Sequence, residues 1–277
     1  MTVRLDRCFE ELAAQGRRAL IAYLCVGDPS LEESTELAVA AAVAGADLLE
    51  LGVPFSDPTA DGPAIARASL RAIRGGATIA RVIEVAAAVR ARVEAPIVLF
   101  GYYNPILVTG EERVVSLAAA AGVDALLVVD LPPEEGAELR RAAAAAGLAV
   151  VPLVAPTTGE ARIERVLRAP EAGAPRGFVY YVSVTGVTGT AQGGLVEASA
   201  QAAALGARSG LPVVVGFGID GAARAREAAG APGAGPAGIV VGTALVKRIE
   251  EGATAEARLT GVRDLVAELR AALDAPG

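Results

Sequence analysis

The chain has no histidine and no tryptophan, a single methionine, two cysteines, and one lysine, Lys247. Without histidine, the Ser-His-Asp and Cys-His nucleophile arrangements are excluded, and so are histidine-based metal centres. Cys8 and Cys25 are too few for a disulfide framework or a thiolate metal site, so no metal is expected. Schiff-base chemistry would fall on Lys247 alone. Proton transfer in an enzyme of this composition is left to Asp, Glu, Tyr or that lysine.

Positive charge is also short, with 25 Lys+Arg against 32 Asp+Glu and a formal net charge of −7. This argues against a broad nucleic-acid or anionic-membrane surface, while leaving room for a small anion site built from backbone N–H groups. The first twenty residues read as an amphipathic, charge-studded helix and lack the apolar block of a signal peptide. Two uncharged runs, 177–196 and 228–246, are interrupted by Gly with Thr or Pro and read as strand plus loop. A cytoplasmic protein without membrane or nucleic-acid partners is expected.

What is present is apolar and periodic. Hydrophobic residues make up 53% of the 277, enough for a sizeable core. Eight short runs recur: ALIAYLCV, ADLLELGV, PIVLFGYY, ALLVVDL, AVVPLVA, GFVYYVSV, PVVVGFGI and GIVVGTAL. Each is apolar on both faces and stopped by Gly, Pro or Asp, as strands of a parallel sheet covered on both sides require. Ala-rich helical stretches lie between them. Ser30…Glu33, Thr109…Glu112 and Thr157…Glu160 have the spacing of capping boxes. Leu259, Val262, Val266, Leu269 and Leu273 form a helical stripe.

Eight such units predict a (β/α)8 TIM barrel, one domain over residues 1–277 with an N-terminal helix. A doubly wound open sheet is the second choice, weakened by the lack of a GxGxxG after the first strand. The second unit has an extended βα loop containing PFSDPTADGPAI, at the strand end where this architecture places its chemistry.

Glu50 falls inside the second strand. Burial of its carboxyl raises the pKa, so it can hold a proton near neutrality; an ion pair with an arginine is the equal alternative. Asp61, before Gly62-Pro63, reads by itself as a turn residue or helix cap, and so does Asp57 before Pro58. If the loop folds back over the barrel mouth, Asp61 faces Glu50, and two carboxyls in different environments can divide acid and base roles. Glycines recur at three late strand ends, in Gly186-Val187-Thr188-Gly189, Gly216-Phe217-Gly218 and Gly242-Thr243. Barrels that handle phosphorylated substrates build their anion site there, which selects Gly189, Gly218, Gly242 and the Thr243 hydroxyl. Aromatics are only 4% and cluster at strand runs or their ends: Tyr23, Phe100, Tyr102, Tyr103, Phe178, Tyr180, Tyr181 and Phe217. Most serve packing. Those at the mouth, Tyr23, Phe100, Tyr102 and Phe217 among them, form an apolar slot suited to an aromatic ring, with Tyr180 the best candidate to touch it.

The run Glu50-Leu51-Gly52-Val53-Pro54-Phe55-Ser56-Asp57-Pro58, continuing through Ala60-Asp61-Gly62-Pro63, resembles the signature of the tryptophan synthase α subunit family. Similarity extends through Gly27-Asp28-Pro29, Asn104-Pro105, Asp130-Leu131-Pro132, Ala155-Pro156-Thr157 and the three glycine corners, nearly the whole chain. The resemblance implies a barrel that cleaves indole-3-glycerol phosphate to indole and glyceraldehyde 3-phosphate. Glu50 would then act as acid/base, Asp61 would take a hydrogen bond or proton from the indole N–H, and Tyr180 would assist. Thr188 would bond Asp61 when the site closes. The loop of Pro54, Phe55, Ser56, Asp57 and Pro58 would face a β subunit in an allosteric α2β2 heterotetramer. This chain would carry no cofactor, pyridoxal phosphate belonging to the partner. The remaining alternatives are another phosphate-binding lyase or isomerase, a Lys247 aldolase, or a partner-binding subunit with little activity of its own.

Overall fold

The computed structural model describes residues 4–167, 175–182, 194–216, 218–231 and 234–275. The strands among them are β1 (Ala19–Cys25), β2 (Leu48–Gly52), β3 (Ile97–Gly101), β4 (Ala125–Val128) and β5 (Ala149–Val150). They continue with β6 (Leu153–Val154), β7 (Val179–Tyr181), β8 (Val213–Gly216) and β9 (Gly238–Val241). The helices begin with α1 (Arg4–Ala14), α2 (Leu31–Val43), α3 (Pro63–Arg74), α4 (Ile79–Arg90), α5 (Tyr103–Thr109) and α6 (Glu111–Ala120). They end with α7 (Ala137–Ala145), α8 (Glu160–Val166), α9 (Leu195–Ser209), α10 (Ala222–Ala229), α11 (Thr243–Glu251) and α12 (Ala255–Asp274).

All pairings are parallel, in the order β5-β4-β3-β2-β1-β9-β8-β7-β6. β5 and β6 are halves of one stave interrupted at Val151-Pro152, where proline has no N–H to donate. The stave still holds both neighbours: Val151 N–H donates to Leu126 O at 2.8 Å, and Tyr180 N–H donates to Pro152 O at 2.9 Å. The order therefore runs once round a ring without a switch point, which settles the choice between barrel and open sheet in favour of the (β/α)8 barrel.

Two apolar clusters follow from strand alternation. One lies between the staves and the helices, with Leu20, Leu24, Leu49, Leu51, Leu99 and Leu126 from the strands. The other fills the lumen, with Ile21, Tyr23, Leu48, Val98, Leu127 and Tyr180. α1 belongs to the second. Its Leu5, Phe9 and Leu12 join the lumen cluster, and the Phe9 ring lies 5.4 Å from that of Phe178. Arg4 donates to Asp124 at 2.7 Å, just before β4, and Asp6 accepts from Gly177 N–H at 2.8 Å, just before β7. The helix thus stoppers the end from which the strands enter, leaving the other end for chemistry.

The second unit holds two helices, α3 and α4, where an ordinary unit has one. This accounts for its length. α3 turns Ala64, Ile65, Ala68 and Ala72 toward the lumen cluster, and its Ser69 Oγ lies 3.8 Å from the Cys25 thiol at the end of β1.

Of the expected capping boxes, Ser30 caps α2 by accepting from Glu33 N–H. The other two do not form. Gly110, at φ 95°, separates α5 from α6, and Thr109 ends α5 with its hydroxyl on Pro105 O. Gly159 takes the cap position of α8, while Thr158 accepts from Ala155 N–H. Tyr103, expected at a strand end, opens α5. The stripe on α12 is real: Val262, Val266 and Leu269 are buried, with Leu259 and Leu273 packed beside them. No helix among the described residues is long and apolar enough to cross a membrane.

Candidate active site

Glu50 is the third residue of β2, in register with Tyr23 of β1 and Val98 of β3, both lumen residues. It is 0% exposed. Neither carboxyl oxygen has a hydrogen-bond partner among the described residues, so the arginine pairing allowed by the sequence is not made. Burial without compensation lifts its pKa from 4.5 to about 8. At neutral pH this carboxyl carries a proton.

Asp61 hangs over the mouth on the loop between β2 and α3. The cap of α3 is Gly62, not Asp61, whose own N–H closes a turn onto Pro58 O at 3.0 Å. The Tyr102 hydroxyl donates to Asp61 Oδ2 at 3.0 Å and accepts from Ala60 N–H at 3.0 Å. Tyr102 also stacks on Phe55, with centroids 5.0 Å apart. This tyrosine, expected in the substrate slot, therefore ties down both arms of the 54–61 loop. Burial raises the Asp61 pKa to about 6, against the opposing pull of the Tyr102 bond. Within the loop Pro54 is buried, Phe55 and Pro58 are half-buried, and Ser56 and Asp57 are exposed.

Two lumen rings border glycines at strand ends, Tyr23 beside Gly52 and Gly242 and Tyr180 beside Gly216. Tyr23 meets Phe100 edge-on, with centroids 5.2 Å apart. Tyr180 pairs with Leu153 and Val214 in register on its two sides. Both tyrosines titrate well above their ordinary value, first through burial and further because the negative charges of Glu50 and Asp61 reach both rings. Both phenols thus stand near enough to the two carboxyls to feel their charge. Each ring rests where a glycine leaves space. A Cβ at Gly216 would lie 2.0 Å from Tyr180 Oη, and one at Gly52 would lie 2.5 Å from Tyr23 Oη. Gly216, in the same corner as Gly218, is thus needed to make room for a ring.

Gly242 caps α11, no side chain among the described residues bonds the first-turn amides, and Thr243 is half-buried at the first helical position. Such a terminus offers N–H donors that no described side chain takes, at the positive end of the helix dipole. The neighbouring α10 is different, because Glu268 of α12 accepts from Ala222 N–H at 2.9 Å and fills that end with a carboxylate. Gly218 precedes α10 and has φ 58°, a backbone suited to glycine. Thr188, Gly189 and Phe217 lie outside the described residues. Lys247 is exposed on α11. Two cavities of about 850 and 810 Å³ open elsewhere, and neither is lined by Glu50, Asp61 or Tyr180.

Sequence reasoning missed the Tyr102–Asp61 bond, which spans 41 residues and has no local signature. It also missed Ile65 of α3 and Leu127 of β4 as lumen walls.

The family model for the tryptophan synthase alpha chain matches residues 9–274. The chain belongs to the tryptophan synthase alpha chain family. The alpha chain of Geobacter sulfurreducens is 47% identical over 91% of this chain and 92% of that one. The alpha chain of Geotalea daltonii is 44% identical over 98% and 99%. Among solved structures, the alpha chain from Legionella pneumophila has a TM-score of 0.86 at 34% identity, covering 99% of this chain and 98% of that one. A structure of Mycobacterium tuberculosis tryptophan synthase has a TM-score of 0.88 at 33% identity, covering 100% of both chains. As a tryptophan synthase alpha chain family member, the protein is a lyase of tryptophan biosynthesis that acts on indole-3-glycerol phosphate.

Proposed function

We propose that Glu50 and Asp61 carry out the cleavage in opposite protonation states. Protonated Glu50 gives its proton to indole C3, and the ring N–H, now cationic in character, is held by ionised Asp61. The bond from C3 to the first glycerol carbon breaks, and its electron pair restores the aromatic ring. The hydroxyl proton on that carbon returns to the Glu50 carboxylate as the aldehyde forms, so Glu50 ends as it began. Tyr180 assists beside Glu50, while Tyr23, Phe100, Tyr102, Thr188 and Phe217 surround the substrate. Main-chain amides around Gly189, Gly218, Gly242 and Thr243 hold the phosphate. Two carboxyls suffice for this chemistry without a cofactor in the chain, and pyridoxal phosphate belongs to a β subunit that docks over Pro54–Pro58 in a cytoplasmic α2β2 assembly.

The observation that carries this reading is Glu50, fully buried on the lumen face of β2 and without a hydrogen-bond partner among the described residues. Replacing Glu50 by Gln should nearly abolish indole release from indole-3-glycerol phosphate, with retained binding of the unreactive analogue indole-3-propanol phosphate. Substantial turnover by that variant would refute the assignment.

A further inference from the structure

Tyr23 is 5% exposed, and its hydroxyl has no hydrogen bond among the described residues. Unlike the Glu50 oxygens, Tyr23 Oη is not sealed from solvent, so this phenol is open to a partner that comes from outside the chain. Nothing forces the ring to be a tyrosine for packing. Phenylalanine has the same shape without the oxygen, and Phe100 beside it serves as a plain ring. Room has nevertheless been made for the oxygen. Gly52, two residues past Glu50 on β2, supplies the space against which Oη sits. On the other side, a Cβ at Gly242 would lie 3.2 Å from Tyr23 Cδ1.

The ring therefore lies between the two ends of the site. Its edge borders Gly242, where α11 starts with amides that no described side chain takes, and its hydroxyl is turned to the β2 side, where Glu50 stands. A substrate with its phosphate at α11 and its indole at the carboxyls must pass its three-carbon glycerol link over this ring. That link carries hydroxyls that need partners once water is excluded. We infer that the Tyr23 hydroxyl is a substrate-binding group that hydrogen-bonds a glycerol hydroxyl of indole-3-glycerol phosphate, and thereby selects a hydroxylated linker over a plain alkyl one. The inference rests on the lyase reading above and adds to it a polar role for a residue otherwise assigned to an apolar slot.

The test is Tyr23→Phe in the full-length chain, compared on two ligands that differ in the glycerol hydroxyls. For indole-3-glycerol phosphate, kcat/KM should fall on the order of ten-fold, as loss of a buried hydrogen bond at the reacting end implies. The inhibition constant of indole-3-propanol phosphate, which lacks those hydroxyls, should stay within about two-fold. Thermal stability should change little, since the hydroxyl bonds nothing among the described residues and is not sealed from solvent. Unchanged kcat/KM would overturn the inference, as would equal weakening of both ligands, which would assign the effect to ring packing. Absence of turnover by the unsubstituted chain in the same assay would overturn the lyase reading and this one together.

Discussion

At the scale of single residues, the site depends on two carboxyls whose surroundings push them to different pKa values. Glu50 near 8 and Asp61 near 6 leave a window in which one is protonated and the other ionised. The pH profile of kcat/KM should therefore be bell-shaped, falling on the acid side as Asp61 takes a proton and on the alkaline side as Glu50 loses one. Steady-state rates across that range check it, and Asp61→Asn should remove the acid limb. The same burial acts on folding. Between pH 4.5 and about 8 the unfolded Glu50 is ionised while the folded one keeps its proton, so its contribution to stability declines as pH rises through that window. Glu50→Gln is free of this penalty. In urea melts it should be more stable than the parent chain by on the order of 3 kcal/mol at neutral pH, with little difference below pH 4.5. A gap that does not vary with pH would mean that Glu50 is not a neutral buried acid. Glu50 was legible in the sequence because a charge in a doubly covered strand is conspicuous. The hydroxyl tether on Asp61 was not, since chain separation hides it.

At the scale of elements, strands were easier to read than helix starts. The staves recur as apolar runs because both their faces are covered, and that requirement is written locally. Helix caps depend on the backbone just outside the helix. Gly110 and Gly159 take the cap positions that the Thr109 and Thr157 patterns had suggested, a choice governed by φ and ψ that side-chain spacing does not report. α1 shows an element whose role only the tertiary structure reveals. From sequence it is an amphipathic helix; in the fold, its apolar face completes the lumen cluster. Phe9→Ala should cost about 3–5 kcal/mol in chemical denaturation, as expected for a truncated core aromatic. KM for indole-3-glycerol phosphate should change little, because the cavity created lies beneath Phe178 and away from the mouth. A large KM effect with small destabilisation would contradict the division between stopper and site.

At the scale of the whole molecule, a chain with net charge −7 is read as handling a phosphorylated substrate, and backbone amides at the start of α11 resolve that apparent conflict. The ring of staves was legible because eight runs alternate with helices at regular spacing. Its closure through the broken β5–β6 stave was not, because the join depends on which carbonyls the neighbouring chains reach. The exposed Ser56 and Asp57 beside a tethered Phe55 give the proposed β partner a fixed ledge next to Asp61. Adding that subunit should raise the rate of indole release severalfold or more; equal rates with and without it would remove partner control. The stopper at the strand entry end has one more consequence. Among the described residues, a barrel plugged by Leu5, Phe9 and Leu12 is closed at that end, so whatever is made inside is directed back to the rim through which its precursor came. Whichever protein surface rests on that rim thus governs whether a small apolar product reaches bulk water or is handed onward.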